Sequence, residues 1–156
     1  MPTVYRLKGI AAANAYDSPA TAALQGDFNV PELIANPSLL ALDSAPNDGL
    51  GAFSGFEIGD SVKIALIPKG LLVQNSAIQH KALQATVTID IGDSAAVDTF
   101  TTTAPIVTTS ATDCLLLPQA GGAKVYNADN YLLVTVTGAK ATAVNATVNL
   151  FGGFVQ

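Results

Sequence analysis

Apolar and polar residues alternate with a period of two through the second half of the chain, and this pattern limits the fold more than any other feature. In SVKIALIP, which begins at residue 61, Val62, Ile64 and Leu66 are predicted to share one face. Successive side chains of a strand point to opposite faces, so this alternation is typical of a strand with one buried face. The sequence Pro68-Lys69-Gly70 then predicts a turn before a second strand in LLVQNSAIQ.

Further strands of the same kind follow. LQATVTIDIGD, YLLVTVTG and ATAVNATVNLFGGFV each alternate in the same way and are separated by turn residues. The predicted inward residues of the first and last of these segments are Ala85, Val87, Ile89, Ile91, Val144, Ala146, Val148 and Leu150. A series of short strands joined by turns predicts an all-β protein, an antiparallel β-sandwich of the jelly-roll kind.

The first half of the chain has a different composition. A strand is predicted at residues 3–8, but residues 9–57 are rich in Ala, Asn, Ser, Pro and Gly and contain several turn signals. Within them, PELIANPSLLAL has apolar spacing that fits one helical turn or a short strand. Long loops inside a compact domain are uncommon. We therefore expect one domain over residues 1–156, in which 9–57 is a loop-rich extension or arm that lies on the surface against a neighbouring subunit.

Composition excludes several classes of partner. Apolar residues make up 49% of the chain and charged residues 12%, with a net charge of −5. Because no cluster of Lys or Arg is present, the sequence predicts no nucleic-acid partner. No apolar run approaches the ~18–20 residues that cross a bilayer, so no membrane partner is expected. So few charges would solvate a monomer poorly, which suggests that partners or copies cover much of the surface.

The tripeptide Gly92-Asp93-Ser94 follows a predicted strand and is how one esterase family presents its nucleophilic serine. A serine nucleophile needs a base within hydrogen-bond reach and an acid that orients the base. The one histidine, His80, precedes the serine and lacks an Asp three residues earlier, where Ala77 stands. The chain also lacks the alternating strands and helices of that family's fold. We therefore predict a turn at Ser94 and no enzyme activity.

Ile-Gly-Asp-Ser occurs at residues 58–61 and again at 91–94. The flanking sequences agree poorly, so we interpret the two copies as the same turn chemistry used twice rather than as a repeat. In this interpretation the Gly adopts a positive φ, and the Asp or Ser binds the backbone of the turn.

No metal or cofactor is expected. One His and one Cys do not complete a transition-metal site, and Cys114 is predicted to be a small buried apolar residue. His80 is expected at the surface or packed against a loop. Asp90, Asp93 and Asp98 could hold calcium, although their spacing does not match the usual calcium loop and a solvated strand edge is the favoured interpretation. Gly121-Gly122 predicts a hairpin turn.

Four aromatic residues fall in the loop-rich half, where little strand pattern exists to bury them. They are Tyr16, Phe28, Phe53 and Phe56. Core packing is one interpretation of these residues. The alternative is that they anchor a capsid or subunit contact, since aromatic residues are enriched at interfaces.

Three segments together resemble a known family: GDSVKIALIPKGLLVQNSAIQ, ATVTIDIGDSAAVDTF and NADNYLLVTVTG, over roughly residues 57–137. They resemble small virion structural proteins of tailed bacteriophages, in particular head decoration or cement proteins. In that family an Asp, an apolar strand, I-P-x-G and another apolar strand precede a T-x-D-x-G-D strand, and a later Asp-Asn-Tyr leads into an apolar/Thr strand.

The resemblance implies a β-sandwich that forms a homo-oligomer, commonly a trimer. It also implies that this oligomer binds the major capsid protein on the capsid exterior and clamps neighbouring subunits. A rival function is a carbohydrate-binding or receptor-binding sandwich of a tail or head fibre. The absence of tryptophan counts against that rival.

Overall fold

Two β-sheets form the protein. The structure, a computed structural model, describes residues 2–12, 22–44, 50–80, 86–101, 106–107, 112–116 and 123–154. The strands in chain order are β1 (Val4–Ala12), β2 (Ala22–Asn29), β3 (Leu40–Leu42), β4 (Ser61–Ile67), β5 (Leu71–His80), β6 (Thr88–Asp93), β7 (Ile106–Val107), β8 (Thr112–Leu116), β9 (Lys124–Val125), β10 (Asn130–Thr137) and β11 (Asn145–Phe154). One short α-helix, α1 (Val30–Ala35), and a 3₁₀ turn at Pro37–Leu39 lie between β2 and β3.

Sheet A has the strand order β3-β1-β4-β10-β6-β7, and sheet B has the order β2-β11-β5-β8, with β9 also paired to β5. All described pairs are antiparallel except β1 with β4, which is parallel. Apolar side chains from both sheets form one buried core. The prediction of an all-β sandwich is confirmed.

The alternation predicted for LQATVTIDIGD and ATAVNATVNLFGGFV is present in their described residues, whereas the residues of β10 from Leu132 to Val136 are all buried, on both faces of the sheet. Val87, Ile89 and Ile91 are fully buried, and so are the inward residues predicted for β11, whereas Asn145, Thr147 and Asn149 are half-buried. Each inward residue removes apolar surface from water, and this burial is the main force that holds the two sheets together.

The face predicted for Leu66 is wrong. Leu132 pairs with Ala65 and Leu133 pairs with Lys63, so Ile64 has no partner on β10. This β-bulge reverses the direction of the residues that follow it. As a result Ile64, Ala65 and Ile67 are all buried, while Leu66 is half-exposed.

The described part of the first half contributes strands to both sheets, and the arm expected within 9–57 stays a prediction. β2 pairs with β11 over its whole length and contributes Leu24 and Phe28 to the core. The segment with apolar spacing forms both a helical turn and a strand, α1 and β3, and Asn29 caps the helix by accepting a hydrogen bond from the Glu32 amide at 3.3 Å. Residues 13–21 and 45–49 lie outside the described residues.

The turn predicted at Pro68-Lys69-Gly70 is present, and Gly70 has a φ of 91°. It carries the chain from β4 in sheet A to β5 in sheet B, so it links the two layers rather than closing a hairpin. Neither helix in the described ranges has the length and hydrophobicity needed to span a membrane.

Candidate functional site

The Gly-Asp-Ser segment is a structural turn. Ser94 is exposed, and its backbone amide donates a hydrogen bond of 2.8 Å to Asn130 Oδ1. His80 is the last residue of β5 in sheet B, while Ser94 follows β6 in sheet A, and no hydrogen bond joins them. His80 is buried, so the surface position expected for it is wrong. Within the described residues, Ser94 therefore serves the turn through its backbone amide.

Asp93, the residue before Ser94, is the centre of a buried polar network. Its Oδ1 accepts hydrogen bonds from the backbone amides of Ala95 and Ala96 at 2.9 and 3.0 Å. Its Oδ2 accepts from Lys124 Nζ at 2.5 Å and from the Tyr126 hydroxyl at 2.8 Å. Charge-assisted hydrogen bonds of this kind are about twice as strong as neutral ones. The Asp93 carboxylate therefore connects the end of β6 to Lys124 in β9 and to Tyr126, which directly follows β9.

These contacts set the protonation states of the network. Burial alone would raise the pKa of Asp93, but the hydrogen bonds from Lys124, Tyr126 and the two amides outweigh burial and lower it. The pKa of Tyr126 is raised, first by burial and then by its hydrogen bond to the Asp93 carboxylate and the charge of that group. At neutral pH Asp93 is therefore a carboxylate and Tyr126 a neutral phenol.

The other Ile-Gly-Asp-Ser copy, at residues 58–61, uses its Asp in the same way. Asp60 is buried, and its two carboxylate oxygens accept hydrogen bonds from the amides of Thr3 and Glu57, both at 2.8 Å. The interpretation that Asp binds the turn backbone is correct for both copies. The interpretation of the glycines holds for Gly59, with a φ of 93°, but not for Gly92. A Cβ on Gly92 would lie 2.2 Å from the Ala96 oxygen, so close backbone approach explains the glycine there.

The three aspartates considered for calcium have separate roles. Asp93 already accepts four protein hydrogen bonds. Asp90 accepts one from the Thr101 hydroxyl at 3.1 Å, and Asp98 is exposed. Burial raises the pKa of Asp90, against the Thr101 hydrogen bond, and the charge of Asp98 raises it further. Within the described ranges, no group of three or more His, Cys, Asp or Glu side chains could hold a metal ion.

The aromatic residues of the first half form a cluster. Phe56 lies at its centre, with ring centroids 4.8 Å from Phe53, 5.2 Å from Tyr5 and 5.3 Å from Phe28. Phe28 and Phe56 have no exposed surface, which agrees with the core-packing alternative. Phe53 is partly buried, and its contact role stays a prediction. Tyr16, Cys114's side chain and Gly121-Gly122 lie outside the described residues.

On the outward face of sheet B, the described side chains carry one charge and most are exposed or half-buried, while the side chains of β8 lie outside the described residues. Its outward side chains come from β2, β11 and β5, whose register places Gln25 beside Asn149, Asp27 beside Thr147, and Phe151 beside Asn75. We call this surface the amide face and define it by Gln25, Asp27, Asn75, Gln79, Asn145, Thr147, Asn149 and Phe151. Asp27 carries the one charge in this set and accepts a hydrogen bond from the Thr147 hydroxyl at 2.9 Å.

The outward face of sheet A contrasts with the amide face. At its centre Ser61 and Thr135 are buried and share a hydrogen bond of 2.8 Å. Charged groups surround that centre: Lys63 pairs with Asp43 at 3.0 Å and lies 4.4 Å from the centre of the Tyr131 ring. The two outer faces therefore differ in both charge and exposure.

Two solved structures contain chains with this fold. A chain from the capsid of Ralstonia phage GP4 superposes with a TM-score of 0.60 at 12% identity, over 98% of this chain and 99% of that chain. A chain from the cyanophage Pam1 capsid asymmetric unit superposes with a TM-score of 0.59 at 11% identity, over 86% and 85% of the two chains. No family model and no curated protein matches the sequence. At these identities the likeness establishes a shared fold.

Proposed function

We propose that the protein is a structural component of a phage virion, a head decoration or cement protein that binds the outside of the assembled capsid. It would stabilise the shell by linking neighbouring subunits of the major capsid protein. One observation carries the proposal: the fold matches a chain of the GP4 capsid over nearly the full length of both. The match therefore concerns a chain of similar size, rather than one domain of a much larger subunit.

The physical properties of the described residues support this function. A cement protein stabilises a shell because it binds the assembled state and not the free subunits. It needs a rigid scaffold with surfaces on which partners can rest. A core drawn from two sheets, with buried carboxylates that fix its turns, provides such a scaffold. Association of copies into a trimer would further strengthen binding to repeated sites on a lattice.

Co-sedimentation with phage heads from which the protein has been removed tests the proposal. We expect saturable binding, a fixed ratio of protein to capsid subunits at saturation, and regular density on the shell by electron microscopy. Heads that still carry their full complement are the control and should bind little more. A failure to bind depleted heads, with the protein found instead on tails or fibres of whole virions, would favour the receptor-binding alternative.

A further inference from the structure

We propose that the amide face is the surface that contacts the capsid, and that it fits an uncharged region on the outer surface of a capsid subunit. This inference rests on the proposed function and adds to it the surface and the chemistry of the contact.

The amide face carries little charge. A surface designed for solubility carries about 25–35% charged residues, whereas the amide face has Asp27 alone, and that carboxylate is engaged by Thr147. The interior of a protein interface is depleted of charge because a charge buried without a partner is costly to desolvate. A face that becomes covered in the mature particle fits this composition, and a highly charged partner surface would find only Asp27 as a counter-charge on it.

The amide side chains of this face are available to a partner. Gln25, Asn75, Gln79 and Asn149 have no side-chain hydrogen bond to another residue within the described part of the chain. Each amide offers both donors and an acceptor. They can therefore bind the polar but uncharged groups of a partner, such as hydroxyls, amides and backbone carbonyls.

One end of the face supplies an apolar anchor. Phe151 is 43% exposed, and Val125 on β9 is 41% exposed beside the half-buried Leu72. Aromatic residues, Phe among them, are enriched in the cores of protein interfaces. A partner that fits this surface has a shallow apolar depression for Phe151, next to polar groups that match the amides.

The size of the face favours the shell over a second copy of the chain as its occupant. Three strands about 4.8 Å apart and eight to ten residues long, at about 3.4 Å per residue, span roughly 400 Å². A stable pair of proteins buries about 800 Å² on each partner. Two isolated copies would therefore not remain together through this face, whereas many copies on a regular shell gain from repeated contacts.

The test uses depleted heads and purified variants. Phe151→Asp and Asn149→Lys place a charge on the amide face, and each should weaken binding to heads at least tenfold. Ile58→Asp and Val97→Asp make a matched charge change at residues that are 60% and 46% exposed outside the face, and each should bind within about twofold of the parent. Circular dichroism and sedimentation velocity confirm that each variant is folded and show its oligomeric state.

Salt gives a second readout. Because no charge pairing is involved, parent binding should change less than about threefold between roughly 50 and 500 mM salt. If the parent binds depleted heads and both face variants bind equally well, the inference is wrong while the proposed function stands. If the parent self-associates and Phe151→Asp abolishes this without changing head binding, a second copy is the occupant and the inference is also wrong. If the parent fails to bind, the proposed function itself fails.

Discussion

The Tyr126 hydroxyl donates a hydrogen bond of 2.8 Å to Asp93 Oδ2. Asp93 ends β6 in sheet A, and Tyr126 directly follows β9, which pairs with β5 of sheet B. Both residues are buried, and Lys124 contacts the same carboxylate oxygen. Asp93 also accepts hydrogen bonds from the backbone amides of Ala95 and Ala96. A single carboxylate therefore fixes the turn and adds a polar link between the two sheets.

Asp93→Asn should lower the free energy of unfolding by roughly 2–4 kcal/mol, measured by urea denaturation. The amide keeps one acceptor oxygen, but its NH₂ group would face the donors Lys124 and Tyr126, and Lys124 would lose its counter-charge. Removing one partner of a buried pair leaves the other unsatisfied, which is the costly case.

Asp98→Asn is the matched control, because Asp98 is an exposed carboxylate in the same turn. Its free energy of unfolding should stay within about 0.5 kcal/mol of the parent value. Equal effects of the two substitutions would show that the buried network is not what stabilises this turn.

The contribution of Asp93 should disappear in acid. The pKa of Asp93 is lower in the folded chain than in the unfolded chain, so the ionised carboxylate favours folding. This contribution is complete above the unfolded value of about 3.9 and is lost as the pH falls through the lower folded value. The difference in unfolding free energy between the parent and Asp93→Asn should be constant from about pH 5 to pH 7 and should shrink below about pH 4. A difference that grows in acid would contradict the assignment.

Ionisation of Asp90 should affect stability in the opposite direction to ionisation of Asp93. The pKa of Asp90 is raised in the folded chain by burial and by the charge of Asp98, so ionisation of Asp90 opposes folding above that pKa. Asp90→Asn should therefore raise the melting temperature slightly at pH 7, because the amide oxygen can still accept from the Thr101 hydroxyl. The gain should vanish below the unfolded pKa of about 3.9, where both side chains are neutral. A variant less stable than the parent at pH 7 would disprove this.

Strands of the second half are predictable because each has one buried face, as the buried Val87, Ile89 and Ile91 show. The bulge at Ile64 is not predictable, since it depends on the register against β10, a strand far along the chain. The strand β2 is also not predictable from the local sequence, for a related reason. Gly26 and Asp27 are poor strand residues, yet a Cβ on Gly26 would lie 2.7 Å from Ile64 Cδ1, so packing against β4 selects the glycine.

The same limit applies to the functional residues. The Gly-Asp-Ser motif identifies Asp93 as a turn residue, but its partners Lys124 and Tyr126 are 31 and 33 residues away, so no local pattern connects them. The amide face did leave a signal, the alternating Asn145, Thr147 and Asn149. Their meaning emerges only when β2 and β5 place further uncharged side chains beside them.

Gly152→Ala should prevent stable folding or reduce the free energy of unfolding by about 3 kcal/mol or more. A Cβ at this position would lie 1.6 Å from the Leu72 backbone oxygen, at the register shift between β11 and β5, and backbone atoms have no alternative rotamer. Gly51→Ala is the control, because a Cβ there has no atom within 4 Å, and its stability should change by less than about 0.5 kcal/mol. Soluble, fully stable Gly152→Ala protein would show that β11 and β5 pair differently.

Phe56→Ala and Phe53→Ala separate core packing from partner contact in the aromatic cluster. Phe56 is fully buried between three other rings, so its removal should lower the free energy of unfolding by about 3–5 kcal/mol, measured by urea denaturation. Phe53 is only partly buried at the edge of the cluster, and its truncation should cost clearly less because the cavity it leaves is open to solvent. If Phe53 also contacts a partner, Phe53→Ala should weaken binding to depleted heads while the protein remains folded. Head binding at parental affinity by Phe53→Ala would assign this residue, like Phe56, to the core alone.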